Sequence, residues 1–159
     1  DFTLEETAEL VGRALGSAAG ADAAMIVLGA FHDGVELPAG ITGKLYAGRI
    51  NAEIVSTVTP NYNGEYAVLT MTGAEAKALA QAGFDFAGDG NPFPYVLVTR
   101  GGGELEDGGI CRVAFLMKRY TEETGAAYGA QVEKGSIRTF LREWLEEQGT
   151  VSPDGNPWR

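Results

Sequence analysis

The chain has 159 residues, 45% of them hydrophobic and 21% charged, which is typical of one soluble globular domain. Its formal net charge of -10 argues against a nucleic-acid backbone or an anionic membrane surface as a partner. No apolar run approaches the roughly 20 residues that a membrane helix needs, so we predict no membrane insertion. The only cysteine, Cys111, excludes an internal disulfide, and its apolar neighbours indicate a buried thiol. We predict a single domain over residues 1–159, and because the sequence begins at Asp1 without a methionine, we expect a piece of a longer protein.

The first two elements have clear sequence signals. Thr3 and Glu6 have the spacing of a capping box, in which two side chains satisfy free backbone N–H groups at the start of a helix. They predict a helix over 4–15, ended by one of the glycines that follow. The continuous apolar run Ala23–Leu28 predicts a short strand that is buried on both faces.

The next stretch is predicted to contain a loop, a short helix and a strand. Thr42 is expected to cap a short helix that ends near Gly48. The alternation over Glu53–Thr59 is typical of a strand, and Pro60–Gly64 has the composition of a turn. We therefore predict a hairpin between this strand and the strand that follows the turn.

The strongest local pattern is a strand that runs directly into a helix over Ala67–Gly83. Alternating side chains predict the strand, and Thr72 with Glu75 predicts a capping box at the start of the helix. A glycine in position to adopt a left-handed conformation is expected to end it. The side chains predicted to form its buried face are Ala74, Ala78, Leu79 and Ala82.

The second half of the chain is predicted to contain two strands and a final helix. Tyr95–Thr99 and Ile110–Met117 have strand composition and are expected to pair as a hairpin. Residues 121–135 have no clear pattern, and Ser136 is expected to cap the final helix. The apolar stripe of that helix consists of Ile137, Phe140, Leu141, Trp144 and Leu145. The whole pattern predicts an α+β fold (mixed α/β) with a central mixed sheet and packed helices.

No group of residues has the pattern of a self-contained active site. The pair His32-Asp33 lies in a predicted loop, but a lone histidine lacks the further ligands that a metal site needs. The loop residues Asp85, Asp89 and Asn91 do not have the spacing of a calcium loop, so turn formation explains them better. From its residues alone, the chain is predicted to hold no metal and no cofactor.

Four segments, taken in order, resemble the C-terminal domain of the bacterial 5'-nucleotidase/UDP-sugar hydrolase family. These segments are Ala21–Val27, Leu37–Tyr46, Met71–Leu79 and Leu141–Pro153. The resemblance extends over most of the chain. Its specificity comes from the order and spacing of the segments more than from any one of them.

The resemblance implies a division of labour between two domains. In that family an N-terminal metallophosphatase domain carries two metals and performs hydrolysis, whereas the C-terminal domain holds the nucleoside and part of the phosphate. A domain rotation then brings the substrate to the metals. On this basis we expect the present chain to be inactive alone, its partners to be such a metallophosphatase domain and a nucleotide or nucleoside, and divalent metals to lie only in that other domain.

The resemblance also implies substrate-binding residues. The family's Pro-Phe-Gly-Asn motif corresponds to Gly48-Arg-Ile-Asn51, in which Asn51 matches and Arg49 stands at the position of the aromatic residue. Arg49 is then the expected phosphate contact, because arginine forks suit phosphate oxygens. Phe93 and Tyr128 are the expected base-stacking groups, and Tyr128 lies in a stretch that resembles the family's late glycine loop.

An alternative from a different class is a module that has lost nucleotide recognition and acts as a binding or spacer unit of a larger bacterial surface protein. The stretch Leu28–Gly34 supports this alternative, because it contains no arginine where the family has a phosphate-binding one. Members of the family are mostly exported, so the resemblance implies an extracellular, cell-surface or periplasmic location.

Overall fold

The structure is a computed structural model that describes residues 1–29, 40–59 and 64–159. The pair His32-Asp33, most of the stretch Leu28–Gly34 and residues 60–63 of the predicted turn lie outside the described residues. The interpretations made for them therefore stay predictions.

Five strands form one mixed sheet, which confirms the predicted α+β fold class. They are β1 (Ala23–Val27), β2 (Glu65–Thr72), β3 (Tyr95–Thr99), β4 (Ile110–Leu116) and β5 (Gln131–Lys134). Their order across the sheet is β3-β1-β4-β2-β5. Strands β1 and β4 pair in parallel, and the other neighbouring pairs are antiparallel.

The described helices cover both faces of this sheet. They are α1 (Leu4–Ala19), α2 (Ala52–Val58), α3 (Gly73–Ala82), α4 (Glu122–Ala127) and α5 (Ile137–Gln148), with a 3-10 turn at Arg100–Gly102. Helix α1 packs on β1, β3 and β4 and against α5, and α2 also packs on α5. Helix α3 covers the opposite face, against β2, β3 and β4. The core is thus two apolar layers, one on each side of the sheet.

The first helix and strand form as their sequences predict. Thr3 and Glu6 exchange both bonds of the capping box, and Gly20 ends α1 with a φ of 58°. The helix runs one turn beyond the predicted end. All five residues of β1 are buried, because Ala24 and Ile26 face the layer under α1 while Ala23 and Met25 face the layer under α3.

The strand predicted over Glu53–Thr59 is wrong, because this segment forms α2. The Asn51 side chain accepts a hydrogen bond from the Ile54 N–H at 3.0 Å, which caps the helix. Val55 and Val58, three residues apart, are its buried side chains. The predicted hairpin with β2 is therefore absent from this part of the structure, and so is the short helix expected after Thr42.

The predicted hairpin between β3 and β4 is also wrong. Strand β1 lies between them, so that Ala24 is paired with Val98 on one side and with Ala114 on the other. This arrangement places the most apolar strand at a position where neighbours cover both its edges and helices cover both its faces. Burial of β1 between β3 and β4 therefore outweighs the tendency of two strands joined by a short connection to pair with each other.

The unit β2–α3 has the predicted capping box, but its helix buries a different face. The Thr72 N–H donates to the Glu75 carboxylate at 2.8 Å, which confirms the predicted start. Ala74, Ala78 and Ala82, expected to be buried, are exposed, whereas Gly73 and Ala76 are buried. A Cβ at Gly73 would lie 2.2 Å from the Glu106 carbonyl oxygen, so the 104–107 loop packs directly on the first turn and fixes its orientation.

The last third of the chain contains more structure than its pattern indicates. Residues 121–135 form α4 and β5. Helix α5 buries Ile137, Leu141 and Trp144 as predicted, although the Ser136 side chain makes no capping bond. The segment after α5 returns to α1, where Trp158 is 3% exposed. The Arg13 side chain holds this segment by donating to the Gly155 carbonyl at 2.5 Å.

Candidate functional site

A cavity of about 680 Å³ opens between the loop 46–52 and the second half of α5. Residues from three separate parts of the chain line it: Phe2, Tyr46, Ala47, Gly48, Arg49, Ile50, Asn51, Ala52, Val55, Arg142, Leu145, Glu146, Gly149, Thr150 and Val151. A volume in this range is typical of small-molecule sites. Two of the four predicted site residues, Arg49 and Asn51, therefore lie at one cavity.

The N-terminal residues hold the loop 46–52 in place. The Phe2 N–H donates to the Leu45 carbonyl at 2.9 Å, and the Ala47 N–H donates to the Asp1 carboxylate at 2.8 Å. Below them, the buried Thr7 hydroxyl accepts a hydrogen bond from the Leu45 N–H at 3.1 Å. This ladder ties the start of the loop to α1, and the Asn51 cap ties its end to α2.

Arg49 and Arg142 supply the positive charge of the cavity. Arg49 is exposed, and within the described ranges its side chain has no hydrogen-bond or ion-pair partner. The Arg142 guanidinium lies 3.8 Å from the Glu143 carboxylate and 3.9 Å from that of Glu146. Both Arg142 distances exceed the 2.7–2.9 Å that is usual for charge-assisted hydrogen bonds. The guanidinium groups of Arg49 and Arg142 are therefore both available to an anionic ligand.

Apolar side chains form another part of the wall. Phe2 and Leu145 are half-buried and pack against the core beneath α1 and α5, and Val55 belongs to that core. Tyr46 is 68% exposed, the second most exposed large apolar side chain among the described residues. A ring with a free face beside an apolar floor is suited to the flat, uncharged part of a ligand.

Phe93 and Tyr128 are not brought together, and neither lines this cavity. Phe93 is 3% exposed and packs with Val27, Phe84 and Tyr95 beyond the C-terminal end of β1. The Tyr128 carbonyl accepts a hydrogen bond from Thr70 of β2, near the opposite end of the sheet. Thr70 pairs with Arg112, and the next residue, Val113, pairs with Ala23 of β1, so Thr70 lies level with position 22. Phe93 packs against Val27, five residues further along β1, which is roughly 16 Å at the usual rise. Phe93 and Tyr128 do not form a base sandwich in this structure.

Tyr128 has electrostatic surroundings of its own. Its half-buried ring packs against the layer under α3, and its hydroxyl interacts with the Glu75 carboxylate. Desolvation raises the pKa of the phenol, and the negative charge of Glu75 raises it further. The phenol is therefore protonated at neutral pH.

The acidic loop of Asp85 and Asp89 has the turn structure that its sequence predicts. The Asp85 carboxylate accepts hydrogen bonds from the N–H groups of Gly88 and Gly90 at 2.8 and 2.9 Å, and Asp89 accepts one from the Asn91 N–H at 3.0 Å. Over residues 1–29, 40–59 and 64–159 there is no group of three or more histidine, cysteine, aspartate or glutamate side chains placed to hold a metal ion.

Sequence reasoning missed two groups at the cavity, Tyr46 and Arg142. Tyr46 was visible only as the last residue of a family-like segment. Arg142 lies on the polar face of a predicted amphipathic helix, where charged residues are common, and no local signal indicates which neighbour that face approaches. A two-segment site of this kind becomes visible only when α5 is placed beside the 46–52 loop.

Comparisons with known proteins bear on the fold and not on the individual residues. No protein-family model and no curated protein sequence matches the chain. None of the helices in the described ranges is long and apolar enough to cross a membrane. Among solved structures, the crystal structure of a 5'-nucleotidase precursor from Thermus thermophilus matches with a TM-score of 0.60 at 16% identity. The match covers 96% of this chain and 34% of that one, so this chain shares its fold with about a third of a 5'-nucleotidase precursor.

Proposed function

We propose that this chain is the substrate-recognition domain of a 5'-nucleotidase-like phosphohydrolase, in which a separate metallophosphatase domain performs the hydrolysis. The shared fold, over 96% of the chain, supports its origin in such a protein. The observation that carries the proposal is the cavity at which Arg49 and an exposed aromatic ring lie together. Such a cavity is suited to a ligand with one anionic end and one flat, weakly polar end.

The chemistry of recognition follows from these groups. The planar guanidinium of Arg49 presents paired donors to phosphate oxygens, and its lack of partners within the described ranges leaves those donors free. The Asn51 side-chain oxygen already caps α2, so its amide N–H₂ is the part that remains for a ligand. Divalent metals in the other domain would supply an activated water and charge neutralisation. This chain would bind and orient the nucleotide.

A second candidate function, a degenerate binding or spacer module, is favoured by one observation. The aromatic pair expected to sandwich the base is not assembled, because Phe93 is buried and Tyr128 lies near the other end of the sheet. Metallophosphatase motifs rich in aspartate and histidine upstream of Asp1 would favour the enzyme. Unrelated modules there would favour the spacer. From the same family resemblance, the proposal includes an extracellular, cell-surface or periplasmic location for the protein.

The proposal is tested by calorimetric titration of the chain with AMP and with adenosine. We expect both to bind, AMP more tightly, with the Arg49→Ala variant losing roughly ten-fold in AMP affinity because a charge-assisted contact is removed. Lys44→Ala is the matched control, since Lys44 is exposed nearby but does not line the cavity. Equal affinities for AMP in the two variants would contradict the assignment of Arg49, and no heat at millimolar ligand would favour the spacer.

A further inference from the structure

Arg142 reaches the cavity from α5 and is held there by two weak ion pairs. Its partners Glu143 and Glu146 are 62% and 70% exposed, and the charged atoms are 3.8 and 3.9 Å apart. Exposed pairs at such distances contribute little, because water screens them. A phosphate group with two negative charges would therefore compete effectively for the Arg142 guanidinium.

Glu146 differs from Glu143 in one respect that matters for a ligand. Glu146 lines the cavity together with Arg142, whereas Glu143 does not. The Glu146 carboxylate lies 3.9 Å from the Arg142 guanidinium and partly neutralises that charge. When an anion enters, the same carboxylate repels it and has to move away. Glu146 is thus placed to set how strongly the cavity prefers an anionic ligand to a neutral one.

Tyr46 lies on the loop that carries Arg49 and lines the same cavity as Arg142 of α5. The loop is tied to α1 through Leu45 and to α2 through the Asn51 cap, so the ring is carried by a supported segment. The half-buried side chains of Phe2 and Ile50 line the same cavity and pack against the core. Stacking on an aromatic face suits any nucleobase, whereas the two arginines suit phosphate.

We propose that Arg142 is a second phosphate-binding group of this cavity, opposed by Glu146 in the free protein, and that Tyr46 is the face on which the base stacks. This proposal rests on the proposed function and adds to it the residues of two chain segments that hold the nucleotide. The phosphate lies between Arg49 and Arg142 and displaces Glu146 from its ion pair. The base occupies the apolar side formed by Tyr46 and Phe2.

The test is a set of titrations of folded variants with AMP, adenosine and inorganic phosphate. Arg142→Gln should weaken AMP binding by about ten-fold and leave adenosine unchanged, because only the phosphate contact is lost. Glu146→Gln should tighten AMP binding several-fold, because a repulsive charge is removed. Tyr46→Ala should weaken AMP and adenosine to the same extent. Inorganic phosphate alone should bind weakly, since it lacks the stacking group.

Matched controls separate these effects from changes in overall charge. Glu147→Gln makes the same charge change as Glu146→Gln on the same helix, but Glu147 does not line this cavity. Lys134→Gln removes one exposed positive charge on β5, away from the cavity. Both controls should bind AMP like the unaltered chain. Thermal unfolding of each variant verifies that it is folded, which is expected because all these side chains are exposed.

Each contrary result has a distinct meaning. If Arg142→Gln binds AMP as Lys134→Gln does while Arg49→Ala is impaired, the role of Arg142 is wrong and the proposed function stands. If Glu146→Gln matches Glu147→Gln, the opposing role of Glu146 is wrong. If the folded, unaltered chain binds neither AMP nor adenosine at millimolar concentration, this inference and the recognition function are both overturned.

Discussion

At the scale of single residues, Gly16 shows how a missing side chain positions the end of the chain. A Cβ at Gly16 would lie 2.1 Å from the Cη2 atom of Trp158, so a methyl group and this ring cannot occupy their present positions together. We expect Gly16→Ala to displace the ring and lower the free energy of unfolding by about 2 kcal/mol, as overpacking usually does. Chemical denaturation followed by tryptophan fluorescence measures this. Gly108→Ala, where a Cβ meets nothing within 4 Å, should be close to neutral.

Cys111 is a residue whose burial controls its reactivity. Its side chain is 5% exposed, and its Sγ donates to the Met71 carbonyl at 3.3 Å. Desolvation raises the pKa of the thiol above its ordinary value, and the carboxylates of Asp22 and Glu75 add to the shift. Since the thiolate is the reactive form, native protein at pH 7.5 should be alkylated by iodoacetamide far more slowly than protein in urea. Equal rates, measured by mass spectrometry, would contradict this.

At the scale of elements, the start of α3 makes stability depend on pH. The backbone and side-chain hydrogen bonds from Thr72 hold the pKa of the Glu75 carboxyl below its ordinary value. A depressed folded-state pKa means that the carboxylate stabilises the fold above the pKa of the unfolded chain, and that this contribution is lost as pH falls through the lower folded value.

We expect the unaltered chain to have a higher free energy of unfolding than Glu75→Gln, and the difference to become smaller as the pH is lowered. The two should differ in unfolding free energy at pH 7, and the difference should shrink as the pH falls below about 4.5 and through the lower pKa of the folded chain. Urea denaturation at a series of pH values measures both curves. Glu147→Gln, which removes a carboxylate outside any capping box, serves as the control. A difference in unfolding free energy that does not change with pH would contradict the stabilising role of the ionised Glu75 carboxylate.

The helix α2 is an element whose type the local pattern predicted wrongly. Its valines, isoleucine and threonine favour strands, and their alternation imitates one. What makes the segment helical is the Asn51 cap together with burial of Val55 and Val58 beside α5. Arg138 of α5 also donates to the Thr59 carbonyl at 3.1 Å, where α2 ends. Tertiary contacts therefore outweigh a weak propensity.

At the scale of the whole molecule, the fold class was predictable and the strand order was not. The apolar run of β1 predicted a strand buried on both faces, and the whole pattern predicted a mixed sheet with packed helices. Nothing in its sequence indicated that Tyr95–Thr99 and Ile110–Leu116 would pair with its two edges instead of with each other. Strand order depends on which arrangement buries the most apolar surface, and that quantity belongs to the assembled sheet.

The candidate site was likewise predictable in part. Arg49 and Asn51 were expected from a resemblance, and the structure places both at one cavity. Their ligand contacts remain predictions, as do those of Phe93 and Tyr128, which lie elsewhere. Arg142 could not be predicted, because a charged residue on the outer face of a helix is usually solvated, and only the position of the 46–52 loop shows that it lines a cavity.

By itself, the sequence determined the features that depend on groups close together along the chain. The capping boxes at Thr3 and Thr72, the apolar run of β1 and the stripe of α5 are of this kind, because short-range hydrogen bonds and periodic burial are encoded locally. Only the tertiary structure decided that α2 is a helix, in which order the strands lie, where Trp158 packs, and that Arg49 and Arg142 line one cavity. Each of these joins segments far apart in the chain, and their stability comes from surfaces that do not exist before the chain is folded.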